Sequence, residues 1–250
     1  MNAAGGRQAR GRVEVESRVG VGVLARTEAF RIASGRWQPL VLLAAVVLQV
    51  PPMLWSTQAA EIAYNGLRAR SGLSTAYVTM ALGIVVSTQG YRYRTADLTF
   101  LVVPGRHRVV AAQALVVGAI GVALSALLFA GWLTIGVLRH GADGMHLDRP
   151  GQLVTAYGVV ALTVTAAAAL GVGLGTIMRG SSAVLFALIG CAGFELALDG
   201  IRFHGPVTAV LGVLAWPTSE LEGTSLVAAV GWGALALAGA LLTVRRDLAT

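Results

Sequence analysis

Thr88-Gln-Gly-Tyr-Arg-Tyr-Arg-Thr-Ala-Asp-Leu-Thr-Phe-Leu-Val-Val-Pro-Gly-Arg-His-Arg108 is a long polar interruption with strongly apolar chain on both sides and a cluster of like charges within it. Arg92 and Arg94 stand near its start, Arg106 and Arg108 at its end, and an apolar run over 98–103 lies between them. Pro104-Gly105 breaks the chain before the next apolar segment begins. A stretch of this kind reads as a surface segment that joins two helices crossing a bilayer, and the remaining chain is organised on either side of it.

Composition sets the class. The chain has 250 residues, 56% of them hydrophobic and 12% charged, and its mean hydropathy is +0.72. A soluble domain is nearer a quarter charged. This much apolar surface exceeds what one soluble core absorbs, so the expected fold class is all-α integral membrane. The 32 glycines are costly in soluble helices but suit close-packed membrane helices. All 19 basic residues are arginine. Without lysine the chain can form neither a P-loop, which needs a Lys on the phosphates, nor a Schiff base. The formal net charge of +7 fits arginine-rich segments facing the cytoplasm and anionic lipid rather than nucleic acid. The single cysteine, Cys191, lies in an apolar run, which excludes an internal disulfide and a Cys-based metal site.

In chain order, residues 1–20 read as a disordered, Gly/Ala/Arg-rich cytoplasmic tail. From Val21 a short amphipathic surface helix is expected, with Val23, Leu24, Thr27 and Phe30 on its apolar face and Ile32 off it. Six spans follow, at about 37–56, 73–88, 109–138, 153–178, 183–198 and 226–244. Trp37 and Trp55 bracket the first as interfacial anchors. The intervening residues 58–71, 139–150 and 199–224 read as polar loops, the last with room for small interfacial helices, and 179–182 as a tight turn. Ala167, Gly171 and Gly175 repeat at four-residue spacing, a small-residue ridge that lets another helix approach closely.

Charge bias fixes the orientation. With both termini inside, the cytoplasmic face holds the tail arginines Arg7, Arg10, Arg12, Arg18, Arg26, Arg31 and Arg36, then Arg92, Arg94, Arg106, Arg108, Arg179, Arg245 and Arg246. Only Arg68, Arg70, Arg139, Arg149 and Arg202 remain outside.

Enzyme chemistry finds little to work with. No His-Glu-x-x-His helix and no Gly-x-Ser-x-Gly elbow occurs. His140, His146 and His204 fall in the outer loops near Asp143 and Asp148, but their spacing matches no metal pattern, and no metal site is assigned. Gly171-x-Gly-x-Gly175 lies inside an apolar helix without a preceding strand, so it is not a nucleotide loop. Glu195 is the one carboxylate inside an expected span. It could act in transport or join helices by hydrogen bonding.

Several runs together resemble the permease subunits of ABC-2 type transporters, in particular the compact six-span actinobacterial kind. They are Gln89-Gly-Tyr-Arg-Tyr-Arg-Thr95, Thr99-Phe-Leu, and Pro104-Gly-Arg-His-Arg-Val-Val-Ala-Ala112. Leu24-Ala-Arg-Thr-Glu28 through Arg36 is similar to that family's N-terminal elbow, and Gly171-Val-Gly-Leu-Gly-Thr-Ile-Met-Arg179 to the end of its fourth span. Phe194-Glu195-Leu is similar to its fifth-span carboxylate, and Arg245-Arg-Asp247 to its close. The resemblance covers residue 21 to the end. Two positions depart from it: Gly90 stands where the family carries Glu, and Gln113 where it carries Lys.

The resemblance implies a 21–250 permease domain in the cell membrane that works as a homodimer or heterodimer with two separate ABC ATP-binding subunits. ATP and Mg would be held by those partners, and no cofactor by this chain, which would not itself be an enzyme. Residues 92–108 would supply a coupling helix that docks on the ATPase. Thr95 and Asp97 would cap its start and Pro104 end it. Leu98, Phe100 and Leu101 would be the buried anchors, and Arg92, Arg94, Arg106 and Arg108 the charged flanks. The cargo expected from spans nearly free of charge is apolar or amphiphilic, moved outward. A non-transporting membrane anchor or sensor paired with an ATPase is the alternative, and an intramembrane enzyme a more remote one.

Overall fold

The computed structural model describes residues 20–35, 43, 46, 47, 49, 64–92, 106–144, 150–180, 182, 184, 188, 205–215 and 219–246. Among these the chain is helical nearly throughout and contains no strand. The helices are α1 Val21–Ser34, α2 Tyr64–Arg92, α3 Arg106–Gly144, α4 Pro150–Met178, α5 Pro206–Ala215 and α6 Ser219–Arg246. Four of them contain stretches long and apolar enough to cross a membrane: Leu67–Gln89, His107–Arg139, Gly151–Met178 and Thr224–Val244. The shortest has 21 residues, about 30 Å of helix, which matches the hydrocarbon thickness. They coincide with the second, third, fourth and sixth spans expected from sequence. The chain is a membrane protein with transmembrane helices. The expected first and fifth spans, 37–56 and 183–198, lie almost wholly outside the described residues. Leu43, Val46, Val47 and Gln49 of the first and Val184 and Leu188 of the fifth are described, and all are helical.

α4 is the centre of the bundle, packed against α2, α3, α5 and α6. Its glycines make this possible. A Cβ at Gly171 would collide with the Met80 carbonyl of α2, and one at Gly175 with Ser87 Oγ, with the Ile84 backbone 3.1 Å away. Gly83 of α2 answers them: a Cβ there would lie 3.0 Å from the Val172 nitrogen and 3.2 Å from the Ala168 carbonyl oxygen. The other side of α4 meets α6 the same way: a Cβ at Gly173 would strike the Ala236 backbone, and one at Gly233 would lie 2.7 Å from the Ala166 carbonyl oxygen. Backbone thus touches backbone along both flanks of one helix, the arrangement small residues permit in membranes. Hydroxyl side chains on the packed faces bond back to their own helix, as Ser71 Oγ does to the Leu67 carbonyl at 2.6 Å and Thr176 Oγ1 to the Val172 carbonyl at 2.8 Å. They therefore enter the interior without unmet polar groups.

The described parts of three expected loops are largely helix. The polar segment ending at Ser71 is instead the first two turns of α2 from Tyr64. Its arginines are absorbed by tertiary contacts rather than marking a loop: Arg68 is only 4% exposed, and the Arg70 guanidinium lies 4.8 Å from the Trp132 ring centroid. The segment after Leu138 continues as helix to Gly144, through a break at Gly141, whose φ of 71° suits glycine. Pro150 then starts α4, the position where a missing N–H costs nothing. Within 199–224, α5 is buried rather than interfacial. Val207, Ala209, Val210, Val213 and Leu214 are enclosed among α2, α4 and α6, and α6 begins at Ser219 rather than Leu226. Gly205 caps α5, its N–H donating to Thr208 Oγ1 at 3.0 Å. Of the turn expected at 179–182, Arg179 and Gly180 leave the helix, Arg179 in the left-handed region at φ 54°, and Ser182 is helical again.

Candidate functional site

The sequence placed function on the stretch between the second and third spans. In the structure α2 ends at Arg92 and α3 begins at Arg106. Arg94, Thr95, Asp97, Leu98, Phe100, Leu101 and Pro104 lie outside the described residues, as does Glu195. Arg108 is half-buried in the first turn of α3. Ala167, Gly171 and Gly175 lie buried on the α4 face turned to α2, where Ala167 joins the cluster that holds Met80 and Ile84.

What is built around both flanks of 93–105 is the packing of α1. Its helix forms as the N-terminal pattern suggests, but the face that packs differs from the expected one. Phe30 is 74% exposed and Val23 is exposed with it, whereas Glu28 and Ile32 are buried. Ile32 packs in an apolar cluster with Val86 of α2, with Val110, Val116 and Val117 of α3, and with Val244 of α6. The apolar stripe read from sequence therefore points away from the bundle. The packed stripe escaped notice because its central residue is a carboxylate.

Glu28 is 8% exposed. Arg31, one turn along the same helix, places Nη2 at 2.8 Å from Glu28 Oε2, a charge contact rather than an aligned hydrogen bond. The same Nη2 donates to the Val86 carbonyl at 3.1 Å. From α3, the buried Gln113 side chain stands close enough to the Glu28 carboxyl to favour its charged form. Burial pushes the Glu28 carboxyl above the ordinary glutamate range. The Arg31 charge and the Gln113 amide pull the other way without cancelling it. One short helix is thereby fastened to the last turns of α2 and the second turn of α3. Sequence reasoning missed Glu28 as a contact residue and took Gln113 only as a departure. The available signal was the four-residue spacing of Glu28 and Ile32.

A second polar cluster lies at the opposite end of the bundle. Trp132 of α3 is fully buried, its Nε1–H directed at Gln49 Oε1 at 3.4 Å, with Arg70 over its ring. Phe129 and Tyr157 meet edge to face at 5.6 Å, and the Tyr157 hydroxyl donates to the Val122 carbonyl at 3.0 Å. These contacts tie α2, α3 and α4 together near Arg68. Among the described residues no group of three or more His, Cys, Asp or Glu side chains could hold a metal ion.

Comparison of the chain with protein-family models, with curated proteins and with solved structures found no match.

Proposed function

We propose that this chain is the membrane-spanning permease subunit of an ABC-2 type ATP-binding-cassette transporter, one that exports an apolar or amphiphilic compound. The reading takes six spans with both termini cytoplasmic and α1 as the elbow helix at the cell-membrane surface. Residues 92–108 are the coupling segment, and ATP with its Mg is bound and hydrolysed on a separate partner subunit. A second permease copy or a paralogue completes the assembly, and nucleic acid plays no part. The observation that carries the proposal is the junction at which α1, the end of α2 and the start of α3 converge. Arg31 on the Val86 carbonyl and Glu28 beside Gln113 bring together the three elements that bear the resembling motifs. The same end of the bundle carries Arg92, Arg106, Arg108 and, beyond Val244, Arg245, in keeping with a cytoplasmic face.

The test is co-expression of this chain with an ABC ATP-binding subunit and co-purification of the two, with and without residues 96–103. The expected result is loss of the complex on deletion while the membrane subunit still inserts. Survival of the complex overturns the coupling assignment. Gly90, which stands in place of the family's carboxylate, favours the anchor or sensor reading. ATP turnover that the bound membrane subunit leaves unchanged would select that reading over transport.

A further inference from the structure

The fastening of α1 contains an imbalance of charge. Glu28 and Arg31 belong to one helix at i,i+3 spacing, a pair that an isolated α1 can already make. Docking therefore does not create this ion pair. It adds the removal of water from the carboxylate, the neighbouring amide of Gln113, and the bond from Arg31 to the Val86 carbonyl. Gln113 is neutral, and Arg31 remains 37% exposed and shares its Nη2 between Glu28 and Val86. An ionised carboxylate that is 8% exposed and meets only a neutral amide from the opposing helix loses more hydration than it regains. A protonated carboxyl loses little and suits the amide, since Gln113 can accept as well as donate.

We propose that docking of α1 onto the α2–α3 junction is proton-linked: Glu28 takes up a proton as the helix packs against Gln113, and α1 loosens as that proton leaves. The raised pKa of Glu28 agrees in direction with the geometric argument. Other charged or titratable residues at this end are Arg26 of α1, Arg92 of α2, Arg106, His107 and Arg108 of α3, Arg179 after α4, and Arg245 and Arg246 of α6. Among the described residues Arg31 is the one whose charge acts on Glu28. For a carboxyl whose pKa is raised by docking, the docked state binds more protons. Docking is then strongest below the ordinary value near 4.5, weakens as pH rises from there to the docked value, and levels off above it. Within that window a single linked proton changes the docking equilibrium by up to about tenfold per pH unit. The proposal holds whether or not the chain partners an ATPase, because it concerns only the seating of α1.

The experiment uses the full chain in lipid nanodiscs, with Cys191→Ser removing the native thiol and spin labels at the exposed positions Ala29→Cys on α1 and Ala119→Cys on α3. Distance distributions recorded from pH 4 to 8.5 give the docked fraction. The docked population is expected to fall as pH rises. Glu28→Gln should hold α1 docked at every pH, with no slope. Gln113→Lys supplies the opposing cation, so docking should then favour ionised Glu28 and the slope should flatten or reverse. A docked fraction independent of pH in the parent chain overturns the proposal. So does a slope that persists in Glu28→Gln, or one left unchanged by Gln113→Lys, a reading that remains available if the first variant fails to fold.

Discussion

Trp132 shows how a single side chain organises one end of this membrane protein. Its ring is fully buried, carries the Arg70 guanidinium on one face and directs Nε1–H at Gln49. The ring makes two contributions that substitution can separate. Trp132→Ala removes the packing and the cation–π surface, and a loss of about 3–5 kcal/mol is expected. Trp132→Phe keeps a ring face for Arg70 and gives up only the long 3.4 Å bond together with some volume, so about 1–2 kcal/mol is expected. Reversible unfolding in mixed micelles measures both. Equal losses for the two variants would mean that the indole nitrogen, rather than the ring, is what the site uses. The same residues show what a sequence hides. Arg68 and Arg70 read as loop markers because charge is normally solvated, whereas an arginine stem can be enclosed and its head seated on an aromatic ring. No periodicity in α2 reports that Trp132 waits sixty-odd residues downstream.

At the scale of the helix, the decisive quantity is how closely two backbones approach. Gly171 and Gly158 lie on the same helix and differ only in what faces them. A Cβ at Gly171 meets the Met80 carbonyl, while at Gly158 nothing lies within 4 Å. Gly171→Ala should force α2 and α4 apart at a cost of about 1–3 kcal/mol. Gly158→Ala should be neutral or stabilise by up to about 1 kcal/mol through helix propensity alone. Unfolding free energies of the two variants check this. A neutral Gly171→Ala would remove the argument that the glycine sets the separation. The ridge through Ala167, Gly171 and Gly175 is legible because it repeats every four residues on one helix. Its mates are not. Gly83, Gly173 and Gly233 follow no four-residue pattern among themselves and acquire meaning only once α2 and α6 are placed beside α4. α1 illustrates the converse: its helix was evident, but Val23 and Phe30 announced the wrong packed face because the buried face is centred on Glu28. Hydrophobic periodicity does not register a carboxylate that is buried with partners.

For the whole molecule, composition and run length were sufficient to identify a helical membrane protein and to locate four of its crossing helices. The orientation expected from arginine placement is open to a direct test. In a Cys191→Ser background, Ser34→Cys on α1 and Arg139→Cys near the end of α3 sit at opposite ends of the bundle, and both positions are exposed. In intact cells a membrane-impermeant maleimide should label the Arg139→Cys variant and label the Ser34→Cys variant only after permeabilisation. The reverse pattern would invert the topology and with it the coupling assignment to 92–108.

The glycine contacts on both flanks of α4 bear on how such a molecule can move. Side chains that interdigitate can re-seat in new rotamers when helices slide, whereas a carbonyl set against an α-carbon has no alternative rotamer to adopt. The central portions of α2, α4 and α6 are therefore expected to travel as one stiff plate, with Gly171 against Met80 on one side and Gly173 against Ala236 on the other. Whatever displacement the protein undergoes is left to the parts outside that plate. α1 is one of these, held by the Ile32 side chain and a few polar contacts rather than by apposed backbones.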